Sequence, residues 1–198
     1  FVFSISTLGK DIVPPGVTTQ NNHFVFIDIL SAKYEMTFDV LNQKAFVKTT
    51  LKFQTFEIGK PLFDLVEEAK DVSLDNFPTT AKKLTLFDKL DPITELKYVD
   101  LNIEPGEHTL SLTSEIKKNL DLSNNQVKYF QDMSDLDDRR FLEQYLPTNL
   151  QYDQYAMVAD ISITGSLVEH SLITNGSTSK LGINHWETKY PKFYNCSS

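Results

Sequence analysis

The tightest constraint on this chain is the run that begins at Lys33, where Tyr34, Met36, Phe38 and Val40 alternate with Lys33, Glu35, Thr37 and Asp39. A period of two turns one face of a strand toward a core and the other toward water. After the polar Asn42-Gln43-Lys44, Val47, Leu51 and Phe53 alternate with Lys48, Thr50, Lys52 and Gln54, so the two runs predict a hairpin. Phe56 and Ile58 then stand on the opposite parity from Leu51 and Phe53. That switch predicts a bulge, or a crossover to another sheet, near Gln54-Thr55.

Shorter strands are predicted at 62–66, 71–77, 83–87 and 96–101, separated by Pro61, Pro78 and Pro92. Pro105-Gly106 supplies a turn feeding Leu110 and Leu112, and Ala159, Ile161 and Ile163 alternate with Asp160, Ser162 and Thr164. Asn175-Gly176 is a preferred two-residue hairpin turn between two further strand-like runs. Roughly eight to eleven short strands argue for a mainly β fold, an antiparallel β sandwich or saddle, rather than a parallel α/β fold. One short helical segment is predicted over 133–146. Asp132, Asp135, Asp137 and Asp138 would sit at its start, favoured by the macrodipole, and Pro147 would close it. Residues 1–30, with Pro14-Pro15-Gly16 and a Thr-Thr-Gln-Asn-Asn stretch, have the composition of a leader or connecting segment, leaving 31–198 as the β domain.

A length of 198 residues, 40% apolar and 23% charged, suffices for one packed core. A net charge of −8 without a basic stripe argues against nucleic acid, whose phosphates need clustered cations. The single cysteine, Cys196, excludes an internal disulfide framework and a cysteine zinc cluster. No window approaches about 18 uninterrupted apolar residues, so no membrane span is expected. The opening Phe1-Val2-Phe3 lacks an initiator Met and a basic n-region and is not an intact signal peptide. A cell-envelope or secreted location is favoured over a cytoplasmic one, and Asn175-Gly176-Ser177 and Asn195-Cys196-Ser197 match the glycosylation sequon.

His23, His108, His170 and His185 are scattered, with no pair one helical turn apart, so a zinc-peptidase site is not encoded here. His170 and His185 fall on the two arms of the predicted Asn-Gly hairpin and read as ordinary strand residues. There is no glycine-rich phosphate loop and no Gly-x-Ser-x-Gly elbow. Trp186, Tyr190, Phe193 and Tyr194 form either a stacking platform for a ligand or part of a core or domain interface. The only arginines, Arg139 and Arg140, stand side by side in "SDLDDRRFLEQYLP". Asp135 and Arg139 have the spacing of a modest helix-surface pair, but that does not explain the choice of arginine. Guanidinium suits planar, bidentate contacts with carboxylates or carbonyls in partly buried places, so the pair predicts a structural clamp.

The order of these features resembles the N-terminal domain of the aminopeptidase N family of zinc metallopeptidases. "YEMTFDVLNQKAFVKTTLKFQ" is similar to that domain's opening hairpin, and "PLFDL", "VSLDN" and "GEHTLSL" follow in the family's order. "DLDDRRFLEQYLP" resembles its Asp-Ala-Arg segment, "MVADISITG" the strand after it, and "NHWETKYPKFYNCSS" the stretch leading into the catalytic domain. The resemblance implies a β saddle covering one side of the substrate cleft in a divergent, bacterial member. No catalytic residue and no cofactor would lie in this chain, zinc being implied in a downstream catalytic domain of the same polypeptide. Counting back from Arg139, the family's position for holding a peptide's free amine falls at Asp132, with Gln131 beside it. The alternative is a stand-alone β-sandwich module that binds carbohydrate or protein.

Overall fold

A computed structural model describes residues 13–19, 21–84, 96–117, 120–122, 126–129, 146–148 and 155–191. The alternating run at Lys33 lies in β3 (Asp28–Asp39), and the second run in β4 (Lys44–Thr55). They pair antiparallel from Asp28↔Gln54 to Asp39↔Lys44, as predicted. The turn between them is closed by the Asp39 carboxylate, which accepts the Asn42 backbone N–H at 3.0 Å and the Asn42 side-chain amide at 2.7 Å. Those two bonds hold the Asp39 carboxyl below its usual range.

Beside β4 lies β10 (Gly106–Glu115), with Leu110 and Leu112 buried, followed outward by β6 (Lys70–Leu74) and β7 (Phe77–Pro78). On the other flank β3 pairs with β13 (Ala156–Thr164), which pairs with β15 (His185–Tyr190), and β14 (Ser177–Gly182) is the edge. A five-stranded sheet holds β1 (Val17–Thr19), β2 (Asn22–Phe26), β5 (Lys60–Asp64), β9 (Leu96–Val99) and β8 (Ala81–Lys83), in that order. A small pair joins β11 (Leu120–Asp121) to β12 (Lys128–Tyr129).

The fold is therefore mainly β. Both large sheets are mixed: β13 runs parallel to β3 and β2 parallel to β5, which corrects the purely antiparallel expectation. Each parallel partner returns after intervening strands have been laid down elsewhere, a long-range pairing that local periodicity does not encode. Tyr34, Phe38, Val47, Leu51, Phe53 and Leu110 from the eight-stranded sheet share one hydrophobic cluster with Phe63 and Val99 from the other. Burial of each such side chain is worth about 1.5–3 kcal/mol, so this shared core holds the sheets together.

Of the two options near Gln54-Thr55, the chain takes the crossover. β4 stays in register with β10 through Thr55, then leaves for β5 with Phe56 and Ile58 exposed in the passage. Within the segment expected to be a connection, Phe24 and Val25 are strand residues and buried. Phe24 packs with Leu62, Leu84 and Leu96 while Ile27 and Ile29 enter the main core, so both faces of this stretch are covered. A strand buried on both sides shows no alternation. The predicted Asn175-Gly176 hairpin turn is also corrected, because those residues precede β14 and the β14–β15 hairpin turns at Ile183-Asn184. Asn184 takes a left-handed φ of 56° there and is anchored by both ends of its amide, which bond Val168 O at 2.9 Å and the His170 N–H at 2.7 Å. The predicted helix over 133–146 lies outside the described residues except for Leu146, which is buried in the main core.

Candidate functional site

Gln131, Asp132, Arg139 and Arg140 lie outside the described residues; the structure describes the shoulders of their segment. On the near side is the β11–β12 pair. On the far side Leu146 is buried, and Thr148 exchanges two backbone hydrogen bonds with Asp64 of β5, at 2.8 and 3.0 Å. Tyr155 follows, buried, with its hydroxyl 3.2 Å from that of Tyr34. Asp64 is itself 6% exposed, so a buried acidic residue stands where the chain returns to the five-stranded sheet. The far shoulder is thus tied to the five-stranded sheet and to the core.

The carboxyl of Asp100 stands just past the end of β9. It accepts from Lys60 of β5 at 2.6 Å and from Lys82 of β8, and these two bonds pull it down to about 2. Lys60 also lies 5.5 Å from the centre of the Tyr98 ring. Because β9 sits between β5 and β8, the triad staples three adjacent strands. Lys97 is buried and donates to the carbonyls of Leu65 and Val66, at 3.3 Å for the second. All of these partners belong to the sheet and its immediate connections, which reads as strand fastening rather than ligand capture.

Each histidine has its own partners. His108 faces Asp75 Oδ2 at 2.7 Å and the Glu104 carbonyl at 2.8 Å, and His185 faces Asp160 at 2.7 Å. His170 bonds Ser166 at 2.7 Å and its N–H bonds Asn184, but it stands outside any strand, so of the two histidines expected to be strand residues only His185, in β15, is one. His23 lies between Thr18 Oγ1, 2.8 Å from Nδ1, and Glu57 Oε2, 2.9 Å from Nε2. Sequence reasoning missed these carboxylate pairs because their members are 25 to 34 residues apart and meet only through tertiary pairing. Among the described residues no three His, Cys, Asp or Glu side chains converge in a way that could hold a metal ion. Trp186 is 5% exposed and Tyr190 partly buried with its hydroxyl on Thr174, so these two do not form a displayed aromatic row. No helix among the described residues is long and apolar enough to cross a membrane.

At the level of sequence no protein-family model matches this chain, nor does any curated protein. Solved structures do. Native leukotriene A4 hydrolase from Saccharomyces cerevisiae is similar with a TM-score of 0.60 and 7% identity, over 94% of this chain and 29% of that one. The yeast enzyme in complex with bestatin gives 0.56 and 7%, over 82% and 26%. An M1 zinc metallopeptidase from Deinococcus radiodurans gives 0.49 and 11%, over 84% and 39%. The chain spans less than a third of the length of the yeast hydrolase, and what it shares with that part is its fold.

Proposed function

We propose that this chain is the non-catalytic N-terminal domain of an aminopeptidase N-like zinc metallopeptidase, a β sandwich or saddle that covers one side of the substrate cleft. The observation that carries the reading is the fold match to the yeast hydrolase over 94% of this chain, arrived at independently of the collinear sequence resemblance. Zinc would be held by a downstream catalytic domain of the same polypeptide, since the described residues bring no three suitable ligands together that fit it. That domain is the principal partner, and a peptide N-terminus is the ligand. Gln131 and Asp132 contact the peptide amine, while Arg139 and Arg140 clamp their segment to the sheet, with Asp64 the buried acid to test as their partner. Export to the cell envelope or beyond is part of the same reading. A stand-alone carbohydrate-binding module is disfavoured by the burial of Trp186.

Reading the gene downstream tests this directly. It should encode His-Glu-x-x-His on a helix with a further Glu about 18 residues on, the spacing that lets two imidazoles and a carboxylate meet one metal. A longer reading frame without that motif would sink the proposal. The 198-residue chain alone should release no amino acid from aminoacyl anilides, the amide substrates of a peptidase. For the clamp, a double-mutant cycle of Asp64→Asn with Arg139→Ala and with Arg140→Ala should show coupling of about 0.5–3 kcal/mol for one arginine. Additivity in both cycles removes Asp64 as the partner.

A further inference from the structure

We propose that Thr18, His23 and Glu57 form a nucleophile–base–carboxylate relay that accepts an acyl group from small activated esters. The β1–β2 pairing sets Thr18 directly opposite His23, and Glu57 arrives from the passage between β4 and β5. Hydroxyl to ring is 2.8 Å and ring to carboxylate 2.9 Å, the connectivity that activates a weak nucleophile through an oriented base.

The direction of the proton follows from the donors available. Glu57 as a carboxylate only accepts: its Oε1 takes the Gly16 N–H at 3.1 Å and its Oε2 takes His23 Nε2–H. In the neutral ring Nδ1 is then a bare acceptor, so the Thr18 hydroxyl donates to it. Those contacts, the Gly16 N–H first and His23 second, also hold the Glu57 carboxyl below its usual range and keep it ionised. The imidazole is seated by two glycines. A Cβ on Gly16 would come within 2.5 Å of His23 Nε2, and one on Gly59 within 3.1 Å of His23 Cδ2. Thr18 is exposed, open to a small ester.

In the reaction Thr18 Oγ1 attacks the ester carbonyl carbon and its proton passes to His23 Nδ1, with Glu57 stabilising the imidazolium. The carbonyl–oxygen bond to the leaving alcohol then breaks and that oxygen departs with the electron pair; the proton on His23 passes to it or to solvent, which makes Nδ1 an acceptor again. Acyl-Thr18 remains. Water, deprotonated by the same Nδ1, returns Thr18 and a carboxylic acid.

The alternative for the same contacts is a cross-strand hydrogen bond that only pins β1, and reactivity separates the two. The full chain would be incubated with p-nitrophenyl acetate in mildly alkaline buffer and digested for peptide mass spectrometry. Acetyl on Thr18 is expected, with release of p-nitrophenolate. Thr18→Ser should keep the label at that position. Thr18→Val should abolish it there, and His23→Gln should cut it at least about tenfold, with folding of each variant checked by circular dichroism. Acetyl confined to lysines, or phenolate release unchanged in Thr18→Val, overturns the relay. The site of labelling on the unmodified chain decides the matter even if a variant fails to fold.

Discussion

Thr49→Val should stabilise this protein. Thr49 sits on β4 between Val47 and Leu51, faces the core opposite Tyr34 and Leu112, and is fully buried. Its hydroxyl has no hydrogen-bond partner among the described residues, and the same holds for Ser114, diagonally across the β4–β10 ladder. A hydroxyl taken out of water without compensation costs about 1–3 kcal/mol. Valine keeps the shape and the β-branch while replacing that oxygen with a methyl, so most of the penalty should be recovered, about 1–2 kcal/mol. For a chain of this length each kcal/mol moves Tm by about 2–4 °C, giving a rise of about 2–8 °C. Urea unfolding followed by tryptophan fluorescence and circular dichroism would measure it, with the midpoint rising at constant slope. A fall in stability of 1 kcal/mol or more, by the same scale, would refute the reasoning, because it would mean that the hydroxyl is bonded in the folded protein. Ser114→Ala should act in the same direction but less, since removal of an oxygen leaves a small void where valine fills it.

Three further outcomes test the orientation of the sheets and the fastening between strands. Leu110→Ala, at a site 1% exposed in the shared core, should cost about 2–5 kcal/mol, whereas Ile173→Ala, at 95% exposed, should stay within about 0.5; equal losses in parallel urea titrations would contradict the assigned burial. Asp100 has its carboxyl lowered to about 2 when folded, against about 3.9 when unfolded, so its contribution is complete above pH 4 and is lost as pH falls toward 2. Asp100→Asn should therefore flatten the stability–pH profile between about pH 4 and 2, and a profile as steep as that of the unmodified chain would show that the staple does not set acid sensitivity. Asn184→Ala should destabilise by about 1–3 kcal/mol, because it strands the Val168 carbonyl and the His170 N–H and places alanine at φ 56°. Asn184→Gly should recover only the part due to backbone strain, and full recovery would mean that the amide bonds contribute little.

What the sequence revealed and what it hid divide along one physical line. Tyr34, Met36 and Phe38 show their burial because β3 is wet on its other face, so each inward residue is flanked by outward polar ones. Phe24-Val25-Phe26-Ile27 hide theirs because both sides of that stretch are covered, and a continuous apolar run beside polar Gln20-Asn21-Asn22 looks like the end of a linker. The polar stretch misled in a second way. The antiparallel β1–β2 pairing sets Thr18 opposite His23, so strand register alone brings the hydroxyl to the imidazole. Glu57 is different in kind. It reaches His23 only because β2 runs parallel to β5, and a parallel pairing leaves no local trace in the chain. Contacts made within a hairpin are therefore legible once the turn is recognised, as at Asp39 with Asn42. Contacts that complete a relay or a staple, Glu57 with His23 or Asp100 with Lys60 and Lys82, depend on which strands become neighbours. That order is fixed by the shared core formed by Phe53, Phe63 and Val99 rather than by the residues that make the contacts.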